Sequence, residues 1–251
     1  MSTDAAHVDP LSPRHLSPLE TLGRGFDVLR ADLGPGIGLG LFAIAFQFVG
    51  VIPWIGWLIA LLATPAATAG CYRYALEAVR GEKPVFEVAL SGFRHWWLAT
   101  TTLGLSVAIP MLAAAPLLGV AGAMGVLKYM SMQAGHEDLG HPSLIPVLIA
   151  SVVLCGPVAL WLTYRLIFAP FVAMDEGGYG ALAAVKRSWE LTRGNWWRVF
   201  GLHLILGLIV IAGALVFGVG LIAALPVTYF ALAHAYEQLR AQTDARSARR
   251  S

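Results

Sequence analysis

The sequence predicts an all-α, polytopic transmembrane helix bundle of about six spans, and three observations lead to it. Of 251 residues, 57% are hydrophobic and only 13% charged, with a mean hydropathy of +0.69. A water-soluble chain carries roughly a quarter of its residues as Asp, Glu, Lys or Arg. The apolar residues gather into runs long enough to cross a hydrocarbon core about 30 Å thick, which takes roughly 20 helical residues. Lys and Arg are confined to alternate connections between those runs, the distribution produced when positive loops are retained in the cytoplasm.

Residues 1–15 hold two Asp and two Pro and lack the apolar core and small-residue cleavage site of a signal peptide. They are expected to form a cytoplasmic tail. Residues 16–240 read as one membrane domain, and 241–251 as a basic cytoplasmic tail. The expected spans are 37–57, 58–76, 97–120, 144–168, 197–217 and 218–236. The first pair and the last pair are joined by very short segments around Pro53 and around Gly218 and Gly220, so each pair reads as a tight hairpin. Cys71 and Cys155 both lie inside apolar runs, where they act as small hydrophobes, so neither a disulfide nor a zinc site is expected.

Between the spans, residues 19–33, 85–93 and 181–191 mix charged and apolar residues at helical spacing. In the last of them Leu182, Val185, Trp189 and Thr192 fall on one side, and Lys186, Arg187, Glu190 and Arg193 lie largely on the other. The pattern predicts helices lying in the membrane interface.

The basic residues orient the bundle. Arg14, Arg24 and Arg30 precede the first span; Arg73, Arg80, Lys83 and Arg94 flank the second connection. Arg165, Lys186, Arg187, Arg193 and Arg198 flank the fourth, and Arg240, Arg246, Arg249 and Arg250 follow the last span. Only Lys128 remains for the opposite side. Six spans therefore place both termini in the cytoplasm of a plasma-membrane protein. Trp54 and Trp57 are then expected at the outer interface, and Trp96, Trp97, Trp196 and Trp197 at the inner one.

Matching anchors suggest a hairpin unit used three times in the same orientation. Trp96-Trp97 and Trp196-Trp197 open spans after basic amphipathic segments, and Gly34-Pro35 occupies the same place in the first unit. Pro65 leads to Tyr72-Arg73 as Pro157 leads to Tyr164-Arg165, while the third unit has Pro226. The middle unit is longer by about 30 residues, which map to the outer segment 119–146. Chance likeness between apolar segments is the competing explanation.

No phosphate-binding Gly-rich loop, His-Glu-x-x-His pair, nucleophile elbow or spaced Cys/His set is present. Polar groups at membrane depth are costly to place there, which makes them the candidates. They are Gln47 in the first span, His203 in the fifth and His234 in the sixth. The histidines suit interhelical hydrogen bonding better than a metal site, which needs more ligands. Arg73 and Arg165, with Lys186 and Arg187, are candidates for headgroup or anion contact, against simple snorkelling of long side chains to the interface. Asp175-Glu176 reads as a solvated loop end, and His136 to His141 as a polar outer loop.

Two stretches resemble a known family. Thr68-Ala69-Gly70-Cys71-Tyr72-Arg73 leads to Arg80-Gly81-Glu82 and Ser91-Gly92-Phe93-Arg94, and Phe168-Ala169-Pro170 leads to Ala184-Val185-Lys186-Arg187-Ser188-Trp189 and Gly194-Asn195-Trp196-Trp197. Together they are similar to YciC-type bacterial inner-membrane proteins and to the membrane domain attached to some glycerophosphoryl diester phosphodiesterases. The resemblance implies a six-span bacterial inner-membrane domain and supplies no catalytic residues.

The reading is a non-enzymatic integral membrane protein acting through membrane lipids or another membrane protein. Two alternatives stay open: a small transporter or channel component using Gln47, His203 and His234, and a lipid-modifying enzyme. Nothing in the residues points to a cofactor, a metal or nucleic acid.

Overall fold

A computed structural model describes residues 16–49, 52, 54, 56–133, 144–175, 180–216 and 219–249. These residues form an all-helical bundle without strands among them. In chain order the helices are α1 (Pro18–Ala31), α2 (Leu33–Phe48), α3 (Gly56–Val79), α4 (Glu87–Arg94) and α5 (Trp96–Gln133). They continue with α6 (Leu144–Leu166), α7 (Ala169–Asp175), α8 (Ala181–Leu191), α9 (Trp196–Leu215) and α10 (Leu221–Ala248).

Three segments are long and apolar enough to cross a membrane: Trp96–Pro116, Val152–Asp175 and Trp196–Leu215. A fourth arises if α1 and α2 are taken as one span bent by 109°. The remaining apolar runs are also helical but differ in make-up. α2 has only 16 residues. α3 and α10 carry an apolar half and a charged half, with Arg73 and Glu77 in one and Glu237 and Arg240 in the other. α5 runs well past the expected end of the third span, through 38 residues, about 57 Å at 1.5 Å per residue. Much of 119–146, expected as an outer segment, is thus helix, whereas His136 to His141 lie outside the described residues.

Local sequence explains the short helices. α1 opens on a proline at its first turn with Glu20 beside it and closes on Arg30, while α4 runs from Glu87 to Arg94. Both place charge to oppose the helix dipole. Prolines also sit inside α3, α5, α6 and α10, a tolerance typical of membrane helices, whose neighbours re-satisfy the freed backbone.

The short helices face the bundle with small residues: Thr21 and Gly25 with Leu29 on α1, Ala89 and Gly92 on α4, and Ala184 and Ser188 with Leu191 on α8. Leu182 and Trp189 on α8 are exposed, as are Leu90 and Phe93 on α4. Small side chains allow close backbone approach, so they win the protein interface and the large apolar residues are turned outward.

Packing follows a ring. α4 lies on α3, α8 on α7, and α1 on α10. Gly25 faces the Val227 carbonyl and the Ala231 nitrogen, and Gly92 faces the Ala66 carbonyl and the Gly70 nitrogen. Ala66 and Val227 each follow a proline, so the two helix pairs meet in the same register. A Cβ on Gly40 of α2 would collide with the Ile222 carbonyl, the group that Pro226 leaves without its helical donor.

Candidate functional site

The strongest concentration of polar chemistry lies where the end of α3, the end of α7 and the middle of α10 converge. α7 is buried from Ala169 to Met174, so its last residue, Asp175, is carried inward with a carboxylate only 6% exposed. α10 presents Tyr236, Glu237 and Arg240 on adjoining positions of one face, and Arg80 follows directly on α3.

Asp175 takes three donors. Arg80 Nη2 lies 2.7 Å from Oδ1, Arg240 Nη1 donates to Oδ2 at 2.6 Å, and the Tyr236 hydroxyl donates to Oδ2 at 3.1 Å. Arg80 also donates through Nε to Glu237 Oε1 at 2.8 Å. Burial alone would push the Arg80 guanidinium down, but hydrogen bonding and the charges of Asp175 and Glu237 outweigh it and hold it above its ordinary value. The network alternates acid and base, from Glu237 through Arg80 and Asp175 to Arg240.

An aromatic stack lies beneath it. Tyr72 of α3 stacks on Phe171 of α7 at 4.2 Å between centroids, and Phe171 stacks on Tyr236 of α10 at 5.8 Å. The same three helices are therefore joined twice, by rings and by charges.

A cleft of about 780 Å³ adjoins this network between α1, the end of α3 and α10. Arg80 and Glu237 belong to both, and His234 lines the cleft. That volume lies within the range of about 300–1,000 Å³ usual for small-molecule sites.

The residues singled out from sequence are distributed more widely. Gln47 lies in α2, with its side chain outside what is described. His203 bonds the Val199 carbonyl of its own helix at 3.1 Å and meets the Tyr164 ring of α6 at 5.2 Å. His234 pairs with Gln238 at 3.1 Å and faces α1 across the cleft. The two histidines thus serve different helix contacts. Among the described residues no three His, Cys, Asp or Glu side chains are grouped to hold a metal ion.

Arg73 pairs with Glu77 at 3.2 Å and lines a groove of about 470 Å³ against α4, together with Arg94 and His95. Arg165 is clamped between two rings, its guanidinium carbon 5.1 Å from the centroids of both Trp161 and Trp189. Trp196 donates through Nε1 to the Trp161 main-chain carbonyl at 3.2 Å, tying α9 to α6 beside the clamp. Lys186 is exposed, and Arg187 reaches Asp244 on α10 at 2.7 Å.

Sequence reasoning passed over Asp175 and Arg80. Asp175 read as a solvated loop end, yet the burial of all of Phe168 to Met174 draws it inside. The signal available was that unbroken apolar lead ending on an acid. No curated protein and no solved structure matches the chain. Residues 36–243 match the family described as protein of unknown function (DUF975), and the chain belongs to that family.

Proposed function

We propose that the chain is a bacterial inner-membrane protein crossing six times, with both termini cytoplasmic, and that it works without catalysis through membrane lipids or a membrane partner. The observation that carries this reading is the outward face of the short helices. α4 and α8 turn Gly, Ala and Ser into the bundle and leave Leu90, Phe93, Leu182 and Trp189 exposed beside Arg94 and Lys186. A helix with large apolar residues outward and basic residues alongside suits the boundary between acyl chains and anionic headgroups.

The ring of packed pairs supports the reading of three parallel hairpin units. In each pair the short helix of one unit lies on the returning helix of the unit before, with α1 closing the circle on α10. The groove holding Arg73, Arg94 and His95 and the tryptophan-clamped Arg165 provide cationic groups for phosphate contact. The resemblance to YciC-type proteins agrees with this setting.

The test is the melting temperature of the full chain in nanodiscs of phosphatidylcholine alone and with added phosphatidylglycerol. The anionic lipid is expected to raise it, and Arg94→Gln with Lys186→Gln to remove most of the increase. Equal melting in both membranes sinks the proposal.

A further inference from the structure

We infer that the cleft between α1, the end of α3 and α10 binds a ligand through a primary ammonium group. Its walls carry three carboxylates, from Glu20, Asp27 and Glu237, against two guanidiniums, from Arg24 and Arg80. Arg24 pairs with Glu20 at 3.2 Å, and Arg80 is held by Glu237 and Asp175. Asp175 is matched in turn by Arg240. Asp27 has no ion-pair partner among the described residues, so the cavity is left with one surplus negative charge.

Asp27 is exposed at the edge of the cleft, where the protein wall beside it displaces part of the screening water, so it attracts a single cation more strongly than a carboxylate on an open surface does. The acceptors define which cation. A carboxylate has only acceptor sites, and Asp27 and Glu237 both line the cleft, so a group with several N–H donors gains more than a quaternary ammonium, which has none. Val28 and Val79 supply apolar wall for a short stem. The floor includes His234, only 6% exposed and paired with Gln238. A primary ammonium reaches such a site either as an aminophospholipid headgroup or as a free amine.

Gly23 provides the means of testing this without disturbing the fold. It lines the cleft on α1, and a Cβ added there meets nothing within 4 Å. Gly23→Phe therefore fills the cavity from a helix that tolerates the change.

The experiment titrates the full chain in phosphatidylcholine nanodiscs with ethanolamine and with 2-aminoethyl phosphate, and separately dopes the discs with phosphatidylethanolamine. Saturable binding is read as a rise in melting temperature. Response to either soluble amine assigns a free ligand, response to the doped lipid alone assigns the headgroup, and both support the site. Asp27→Asn is expected to weaken binding by about tenfold or more, one charge-assisted hydrogen bond's worth, and Gly23→Phe to abolish it. Both variants should melt as the parent does without amine, since neither position is packed. No saturable response to any of the three probes, or parental affinity in both variants, overturns the site. Dependence of melting on phosphatidylglycerol is a separate readout, so this result and the lipid-surface proposal can fail independently.

Discussion

Arg240 on α10 donates to Asp175 at the end of α7 at 2.6 Å, although the two stand 65 residues apart in the chain. The bond closes a network in which one buried carboxylate serves Arg80 from α3 as well. Removing the acid leaves Arg240 facing Arg80 without the carboxylate between them, and leaves Arg80 with Glu237 alone. Breaking a buried pair from one side costs about 3–5 kcal/mol. The arginines are about a third exposed, so Asp175→Asn is expected to lose about 2–3 kcal/mol. Glu20→Gln, which breaks only the exposed pair with Arg24, should lose under about 1 kcal/mol. Thermal unfolding of the two variants in the same detergent checks the ranking; equal losses would show the network to be a surface feature.

The sign of any pH dependence follows from Arg80. Its value is raised on folding, so its contribution is fully present below the ordinary arginine value and is lost only above it. The gap in melting temperature between Arg80→Gln and the parent is expected to be constant between about pH 7 and 10, where arginine stays charged. A gap that shrinks across that interval would place another titrating group in control of the network.

Helix approach through glycine gives a prediction with two signs. A Cβ on Gly92 would collide with the Ala66 carbonyl and the Gly70 nitrogen, whereas one on Gly104 of α5 meets nothing within 4 Å. Gly92→Ala is expected to destabilise by about 1–3 kcal/mol through overpacking. Gly104→Ala should be neutral or stabilise by up to about 1 kcal/mol, from the better helix propensity of alanine. Melting temperatures moving in the same direction would contradict the α3–α4 contact.

The Arg165 clamp depends on shape as well as charge. Lysine keeps the charge but cannot present a flat face to both Trp161 and Trp189. Arg165→Lys is expected to lose about 1 kcal/mol and to change the tryptophan emission, while Arg73→Lys, whose partner is Glu77, should leave emission as it was. Unchanged emission in both would show that the rings do not hold the guanidinium.

How much of this was readable in the residues depends on the range of the interaction. Apolar runs and charge patterns are local, and they marked the helices of the bundle and the short amphipathic helices between them. The pattern of 181–191 marked an amphipathic helix but not which of its residues meet the bundle: Ser188, which donates to the Arg165 carbonyl at 2.8 Å, takes the packed side, while Leu182 and Trp189 stay exposed. Asp175 was misplaced. Its partners come from α3 and α10, the link from Arg80 to Glu237 alone spanning 157 residues, and no local pattern encodes that meeting. The cleft escaped notice likewise, because its walls come from three helices far apart in sequence.

Topology is the remaining question that a direct measurement decides. Trp54, Lys83, Val219 and Ser247 are all exposed, so a cysteine at each is accessible wherever it lies. With Cys71 and Cys155 replaced by alanine, a six-span chain places cysteines at 54 and 219 outside and those at 83 and 247 in the cytoplasm. The pairs bracket α3 and α10, which carry charged halves and are not among the segments apolar enough to qualify as spans on composition alone. An impermeant maleimide added to intact cells should label Trp54→Cys and Val219→Cys, and should reach Lys83→Cys and Ser247→Cys only after permeabilisation. If α10 does not cross, 219 and 247 label alike. If α3 does not cross, 54 and 83 do. Either result reduces the six spans and separates the charged ends of α3 and α10 from the cytoplasmic face that the arginine distribution predicts for them.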